Sequence, residues 1–510
     1  MLAALLLACC CVYLIVWYLL DPQGLRRYPG PLFAKFTHGW LLWVGITRRR
    51  SEIIREVHRK YGPIVRISPT QLSFSQPAAY SQIYSFNNKV TKSSFYDSFG
   101  SAMGLKNVFT ARSKTEHGQK RKLLHPLFTP QVSREFTART AIVMAGLLEE
   151  WETRYGSGNI DIWFDCVPWI SWMAFDEMAD FIFGEPFGMI HSASDSVSVP
   201  NNWRLAIATE ARSFEKYPAR AFKLHDIVSQ RETYNYFIGL LPPWLRGVGR
   251  LVLRTQLESS RIFSAFVADK VIERLATQSN SAHPRDLIGR FLHKAGNDSF
   301  QPESLIAELI TILVAGSDTT KNSLIAAVYY IAKSRTVQSR LQEELDVHVA
   351  GRTPTFSEIE DLPFLGACLD ETMRLYSPVG LGLPRTLPES GIWISGEHFR
   401  GGTTVGVPIY TIHRDQSVWG ADAEEFRPER WLQADDTFTT KFAEAFKPFS
   451  DGSTGCIGKH LALAQLRVMI AAVFNRFDVT LEDSTRPLHV EDWFVRRARD
   501  CRIGIRPRKW

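Results

Sequence analysis

The sequence predicts a mainly α-helical protein with small β-sheets, preceded by one N-terminal transmembrane helix. Three features support this. The chain opens on a charge-free apolar run, apolar spacing of helical period fills most of the remainder, and β-branched stretches bounded by Gly and Pro are short and confined to a few places. The 510 residues are 45% hydrophobic and 22% charged, as in a chain that builds a deep core. The net charge of +7 suits an anionic membrane surface or an acidic partner and is too small to argue for nucleic acid.

Met1 to Leu20 carries no charged side chain, and ~20 apolar residues is the length that spans a bilayer. A cleaved signal would begin with basic residues and have a shorter apolar stretch. Asp21 and Pro22 end the run, and Arg26, Arg27 and Lys35 place the following chain on the cytoplasmic side. Residues 1–20 are therefore expected to be a membrane anchor and 21–45 a Pro/Gly hinge and linker, with Tyr28-Pro29-Gly30-Pro31 as a stiff elbow. Residues 46–510 form one uninterrupted domain. Under this topology the sequon Asn297-Asp298-Ser299 stays unglycosylated.

Residues 61–75 read as a hairpin around a Ser-Pro turn. Helical spacing follows at 113–128, 130–155, 165–183 and 251–276, then at 302–333, where Pro302 sits in a first turn that tolerates proline. Helices at 335–349 and 362–376, strands within 379–411 and a last helix over 457–475 complete the chain. The seven cysteines show neither a disulfide framework nor a paired Cys-x-x-Cys metal site, which favours a reducing compartment. The thirteen histidines show no zinc-ligand spacing.

Residues 447–460 surround Cys456 with glycines at 452, 455 and 458, so the backbone can turn sharply and approach a flat ligand. A helix starting beside Cys456 would favour its thiolate, and Phe449 could shield the sulfur from water. The segment Phe449-x-x-Gly452-x-Thr454-x-Cys456-x-Gly458 resembles the cysteine loop of the cytochrome P-450 family of haem-thiolate monooxygenases. One position departs. Thr454 stands where the family has a basic residue paired with a haem propionate, and a hydroxyl offers only a neutral hydrogen bond there. The resemblance implies haem b with Cys456 as axial iron ligand, a donor that favours O–O cleavage.

Glu371 and Arg374 share one face of the helix at 362–376. The resemblance implies that this pair is buried and joined by Arg430, from Phe426-Arg427-Pro428-Glu429-Arg430, as a structural triad. It also implies Arg385 and Arg121 as propionate partners, with His117 in place of a tryptophan in a Trp-x-x-x-Arg segment. Within the long helix lies Ala315-Gly316-Ser317-Asp318-Thr319-Thr320. Small residues at 315 and 316 leave room for O₂ beside the haem. Asp318 relaying protons from solvent and Thr319 offering a hydroxyl are the candidate catalytic pair. The competing reading is a mid-helix hydroxyl bonded to the carbonyl one turn back.

The resemblance covers nearly the whole soluble part. It is closest to fungal microsomal members and includes segments similar to the benzoate 4-monooxygenase group. It implies an endoplasmic-reticulum membrane protein with its catalytic domain facing the cytoplasm. The expected electron source is NADPH, used indirectly through a separate NADPH–cytochrome reductase, with cytochrome b5 as a further partner; the chain carries no flavin or nicotinamide motif. Lys114, Lys120, Lys122, Lys447 and Lys459 are candidates for the docking face. Phe95, Tyr96, Phe99, Met103, Phe109, Ala315, Val379 and Leu381 are candidate walls of an apolar pocket for a hydrophobic, aromatic or secondary-metabolite substrate. An anionic substrate would need a buried Arg or Lys there, and the sequence places none. Two other readings compete: a haem-thiolate isomerase or dehydratase, which would turn over without NADPH, and a non-catalytic haem-binding or steroid-carrier protein, which would never consume it.

Overall fold

Ten helices of 11 residues or more form the body of the molecule: α1 Arg50–Tyr61, α2 Lys114–Leu124, α3 Pro130–Tyr155, α4 Cys166–Phe183, α5 Leu224–Leu240, α6 Arg254–Ala276, α7 Pro302–Lys333, α8 Arg335–His348, α9 Pro363–Leu375 and α10 Lys459–Arg476. The computed structural model describes residues 16, 18–86, 88–100, 104–156, 162–200, 219–277, 285–295, 302–349, 351–432 and 436–509, and this count is made among them. Local chemistry sets several boundaries. Ser113 and Thr129 cap α2 and α3 by accepting backbone N–H groups, and Pro130 occupies the first turn of α3.

The 32-residue helix α7 is the central element and packs against α4, α6, α9 and α10. The larger core lies between α3, α4, α7, α8, α9 and α10 and includes the buried rings of Trp151, Phe364 and Phe474. A second core joins α4, α6 and the first half of α7. α4 is apolar around most of its circumference, as a helix covered on all sides must be.

A five-stranded sheet flanks the helices. Its strands are β1 Ile64–Ser68, β2 Gln71–Phe74, β3 Thr91–Lys92, β5 Arg385–Thr386 and β6 Thr404–Gly406, in the order β1-β2-β6-β5-β3. β4 Phe164–Asp165, β7 Phe477–Leu481 and β10 Arg502–Pro507 form a second sheet with β10 in the middle, while β8 His489–Asp492 and β9 Arg496–Asp500 pair as a hairpin.

Residues 1–15 and 17 of the expected membrane anchor lie outside the described residues; 16 and 18–20 are helical. Among the described residues no helix is long and apolar enough to cross a membrane. The elbow at 28–31 is tied to the first strand: Pro29 O accepts from Arg66 N of β1 at 2.8 Å, and a Cβ on Gly30 would lie 2.2 Å from Arg66 O. The last helix begins at Lys459, not 457, with Gly458 at its cap. Finally, α1 and α5 had no counterpart in the sequence reading. In α5 the buried positions include Arg231, Glu232 and Asn235, so the apolar period that marks a helix is broken.

Candidate active site

The cysteine loop is held from both ends. Cys456 N–H donates to Phe449 O at 2.8 Å, and Gly455 N–H donates to Gly452 O at 3.1 Å across a 3₁₀ turn. Gly452 has φ +71°, and a Cβ there would lie 2.1 Å from Tyr84 O, so no other residue fits. Gly458 differs. Its φ is −86° and a Cβ would meet nothing within 4 Å. Phe449 packs against the larger core. The Cys456 side chain is enclosed by protein, which pushes its thiol pKa up, while the Gly458 N–H, Arg121 and Lys459 pull the other way. Yet its surface is accessible, and so is that of Ala315 in the middle of α7. Accessible positions this deep in the fold border internal space.

Beside the loop, register assembles a cation cluster. β3 pairs with β5 so that Lys92 lies directly opposite Arg385, with the two 6% and 3% exposed. Like charges in that relation repel. Arg385 Nη2 donates to Thr454 Oγ1 at 3.0 Å and Nη1 to Tyr96 OH at 2.6 Å. Arg121 Nη1 donates to Gly455 O at 2.8 Å. Burial, followed by the neighbouring Arg385 and Arg121, lowers the Lys92 pKa to about 7, and burial followed by all three cations lowers that of His117 to about 4. Lys92, Arg121, Arg385, His117, Ser453 and Thr454 line one cavity of about 600 Å³. Such a cluster suits a ligand with two negative charges at one edge, as the haem propionates are, so the residues present fit that group. Lys92 was invisible in the sequence: a lone lysine gives no signal until strand pairing sets it against Arg385.

On α7, Thr319 Oγ1 donates to Ala315 O at 2.7 Å, the bond of the competing helix-internal reading, and its lone pairs remain able to accept. Gly316 is pressed by α4, since a Cβ there would lie 2.5 Å from Met178 Sδ. Asp318 is fully buried and is held by Lys321 Nζ at 2.5 Å and Arg497 Nε at 3.3 Å. Arg497 comes from β9 and also binds Ser229 and Glu232 of α5. The carboxylate therefore lies inside an ion network of two cations, Lys321 and Arg497, and two carboxylates, Asp318 and Glu232.

Glu371 and Arg374 form a two-point pair at 2.8 and 2.9 Å, and Arg430 Nε reaches Glu371 Oε1 at 2.9 Å. All three are at most 2% exposed. Trp431 Nε1 and Arg427 N add donors to Glu371, and Arg374 also donates to His413 O and Ala423 O.

The expected pocket walls come together in part. Phe95, Tyr96, Phe99 and Phe109 form one ring cluster, which Phe494 from the turn between β8 and β9 completes. Phe494 lies in the last part of the chain, and nothing in its local sequence marks it. Met103 lies outside the described residues, and Val379 is partly buried. Leu381 lines a separate small void with Ser51, Ile54 and Pro408. Of the expected docking lysines, Lys120 is paired with Glu308 and Lys447 with Asp451, and Lys114 binds the Asn88 carbonyl. Lys122 and Lys459 are exposed.

The model of the cytochrome P450 family matches residues 29–503. The chain belongs to the cytochrome P450 family. This cytochrome P450 is 30% identical over 513 residues to benzoate 4-monooxygenase bphA of Aspergillus niger, covering 97% of this chain and 96% of the relative. It is 29% identical over 495 residues to cytochrome P450 monooxygenase cicH of Emericella nidulans, covering 93% and 92%. It is 25% identical over 513 residues to cytochrome P450 monooxygenase gsfF of Penicillium aethiopicum, covering 97% and 96%. It is a cytochrome P450 monooxygenase, and membership implies haem held by a cysteine thiolate.

Proposed function

We propose that this monooxygenase binds haem b through the Cys456 thiolate and inserts one oxygen atom from O₂ into a hydrophobic, aromatic or secondary-metabolite molecule. The cation cluster opposite Thr454 carries this reading: Lys92, Arg385 and Arg121 line one cavity two residues from Cys456. Arg385 and Arg121 would hold the propionates, with Lys92 supplying the charge that Thr454 lacks. Gly452 lets the loop turn toward the ligand, and Phe449 backs it. When bound, the haem supplies the one-electron and oxygen chemistry.

Ala315 keeps the adjoining face of α7 low, while Gly316 lets α4 pack closely against that helix. Thr319 Oγ1 holds a proton on that face, and Asp318 is the acid that replaces it, released when Arg497 and Lys321 shift. The cluster of Phe95, Tyr96, Phe99, Phe109 and Phe494 excludes water and takes the apolar body of the substrate. The relative from Aspergillus niger, named for acting on benzoate, supports an aromatic substrate.

Electrons reach the site from NADPH through a separate reductase, with cytochrome b5 as a second donor, and the exposed Lys122 and Lys459 belong to the docking face. The apolar segment 1–20 anchors the chain in the endoplasmic-reticulum membrane, with residues 46–510 as the catalytic domain on the cytoplasmic side. The deciding experiment is the absorption spectrum of the reduced, CO-bound protein. Cys456→Ser should abolish the thiolate-type band; an unchanged band would overturn the ligand assignment.

A further inference from the structure

Two polar side chains of α5 stand outside every network described above. Arg231 is 4% exposed and Asn235, one turn later, 1%. Arg231 Nε and both polar side-chain atoms of Asn235 have no hydrogen-bond partner. Among the described residues no carboxylate lies within ion-pair distance of Arg231, and the adjacent Glu232 is bound by Arg497. The ring of Phe263 on α6 lies 5.5 Å from the guanidinium. Burial pulls the Arg231 pKa down only to about 10, so the group is charged at neutral pH. A buried, uncompensated guanidinium is destabilising, and a bare amide beside it adds to that cost. Buried polar groups without partners are uncommon, and two in succession on one helix face call for a cause.

Their chemistry and placement suggest one. A guanidinium fork with an amide one turn away matches the two oxygens of a carboxylate. Arg231, Asn235 and Gly239 are spaced by four and form one row along α5, roughly 12 Å long. At its far end the backbone touches the aromatic cluster, for a Cβ on Gly239 would lie 2.7 Å from the Phe95 ring. The row thus leads from anion-binding groups to an apolar, ring-lined region.

We propose that Arg231 and Asn235 form the anion subsite of this monooxygenase, receiving the carboxylate of a hydrophobic aromatic acid whose body lies toward Phe95, Phe99, Phe109 and Phe494. The proposal rests on the monooxygenase reading above and narrows its substrate class. Both groups are enclosed, so binding is coupled to a shift of α5 against α6.

The test uses the full-length, haem-loaded protein, titrated with benzoate, biphenyl-4-carboxylate and their primary amides, with binding read from the Soret difference spectrum. At least one carboxylate should bind about tenfold or more tighter than its amide. Arg231→Met should bring that ratio to near one, Asn235→Leu should lower it, and Arg231→Lys should keep part of it. The ligand-free Arg231→Met protein should melt no lower than the parent, because it loses an unpaired buried charge. An unchanged ratio in Arg231→Met, the absence of any carboxylate preference in the parent, or a fall of several degrees in Arg231→Met would each overturn the subsite. A parent protein without the thiolate-type CO spectrum would instead sink the monooxygenase reading, so the two failures are distinct.

Discussion

Arg385 and Thr454 are joined by a 3.0 Å hydrogen bond from the guanidinium to the hydroxyl, so a strand arginine reaches the loop position where a basic residue was missing. Charge at this edge is supplied from β3 and β5 rather than from the cysteine loop. Arg385→Leu should therefore speed haem loss to apomyoglobin by at least about tenfold, since it removes a charge-assisted donor. Thr454→Val, losing one neutral hydroxyl, should change the rate by only a few-fold. Equal rates in the two variants would contradict this division.

Lys92 gives the haem-free protein a distinctive pH response. Its folded-state pKa of about 7 lies below the usual 10.5, so between those values the unfolded chain binds one more proton than the folded one. Stability should rise with pH across that window, and the full cost of burying the charge remains below about pH 7. Thermal melting of the haem-free protein from pH 6.5 to 9.5 should show the slope, and Lys92→Met should flatten it. Loading haem should raise the Lys92 pKa and weaken the same slope.

The glycines of the cysteine loop divide by geometry. Gly452→Ala meets both a left-handed backbone and a carbonyl 2.1 Å away, and should cost at least about 2 kcal/mol with loss of haem incorporation. Gly458→Ala has open space and negative φ, and should remain within about 0.5 kcal/mol of the parent. Urea unfolding and the haem-to-protein absorbance ratio distinguish the two.

Removing Glu371 leaves Arg374 and Arg430 buried without their shared anion. Glu371→Ala should cost about 3–5 kcal/mol, the range for breaking a buried ion pair from one side. The chain would then accumulate as insoluble protein. Unfolding energies close to the parent would show that the carbonyls of His413 and Ala423 suffice to hold Arg374.

The sequence made legible whatever depends on local pattern. The span of α7 follows from Pro302 and its apolar spacing, and the Glu371–Arg374 pair follows from helical periodicity. Cys456 announced itself through the glycines around it. What stayed hidden depends on long-range pairing. Lys92 matters because register sets it opposite Arg385, and Asp318 is enclosed because Arg497 arrives from a strand 179 positions away. α5 escaped notice because its buried face carries Arg231, Glu232 and Asn235, and periodicity detects only apolar faces.

The sheet of β4, β7 and β10 has a consequence for how the chain is made. Its middle strand is the last of the three to leave the ribosome, and 336 positions separate Asp165 from Cys501, whose N–H it binds. At translation speeds of about 5–20 residues per second, β4 waits roughly 20–70 seconds for its partner. During that interval the backbone groups of β4 that later pair with β10 remain an open strand edge.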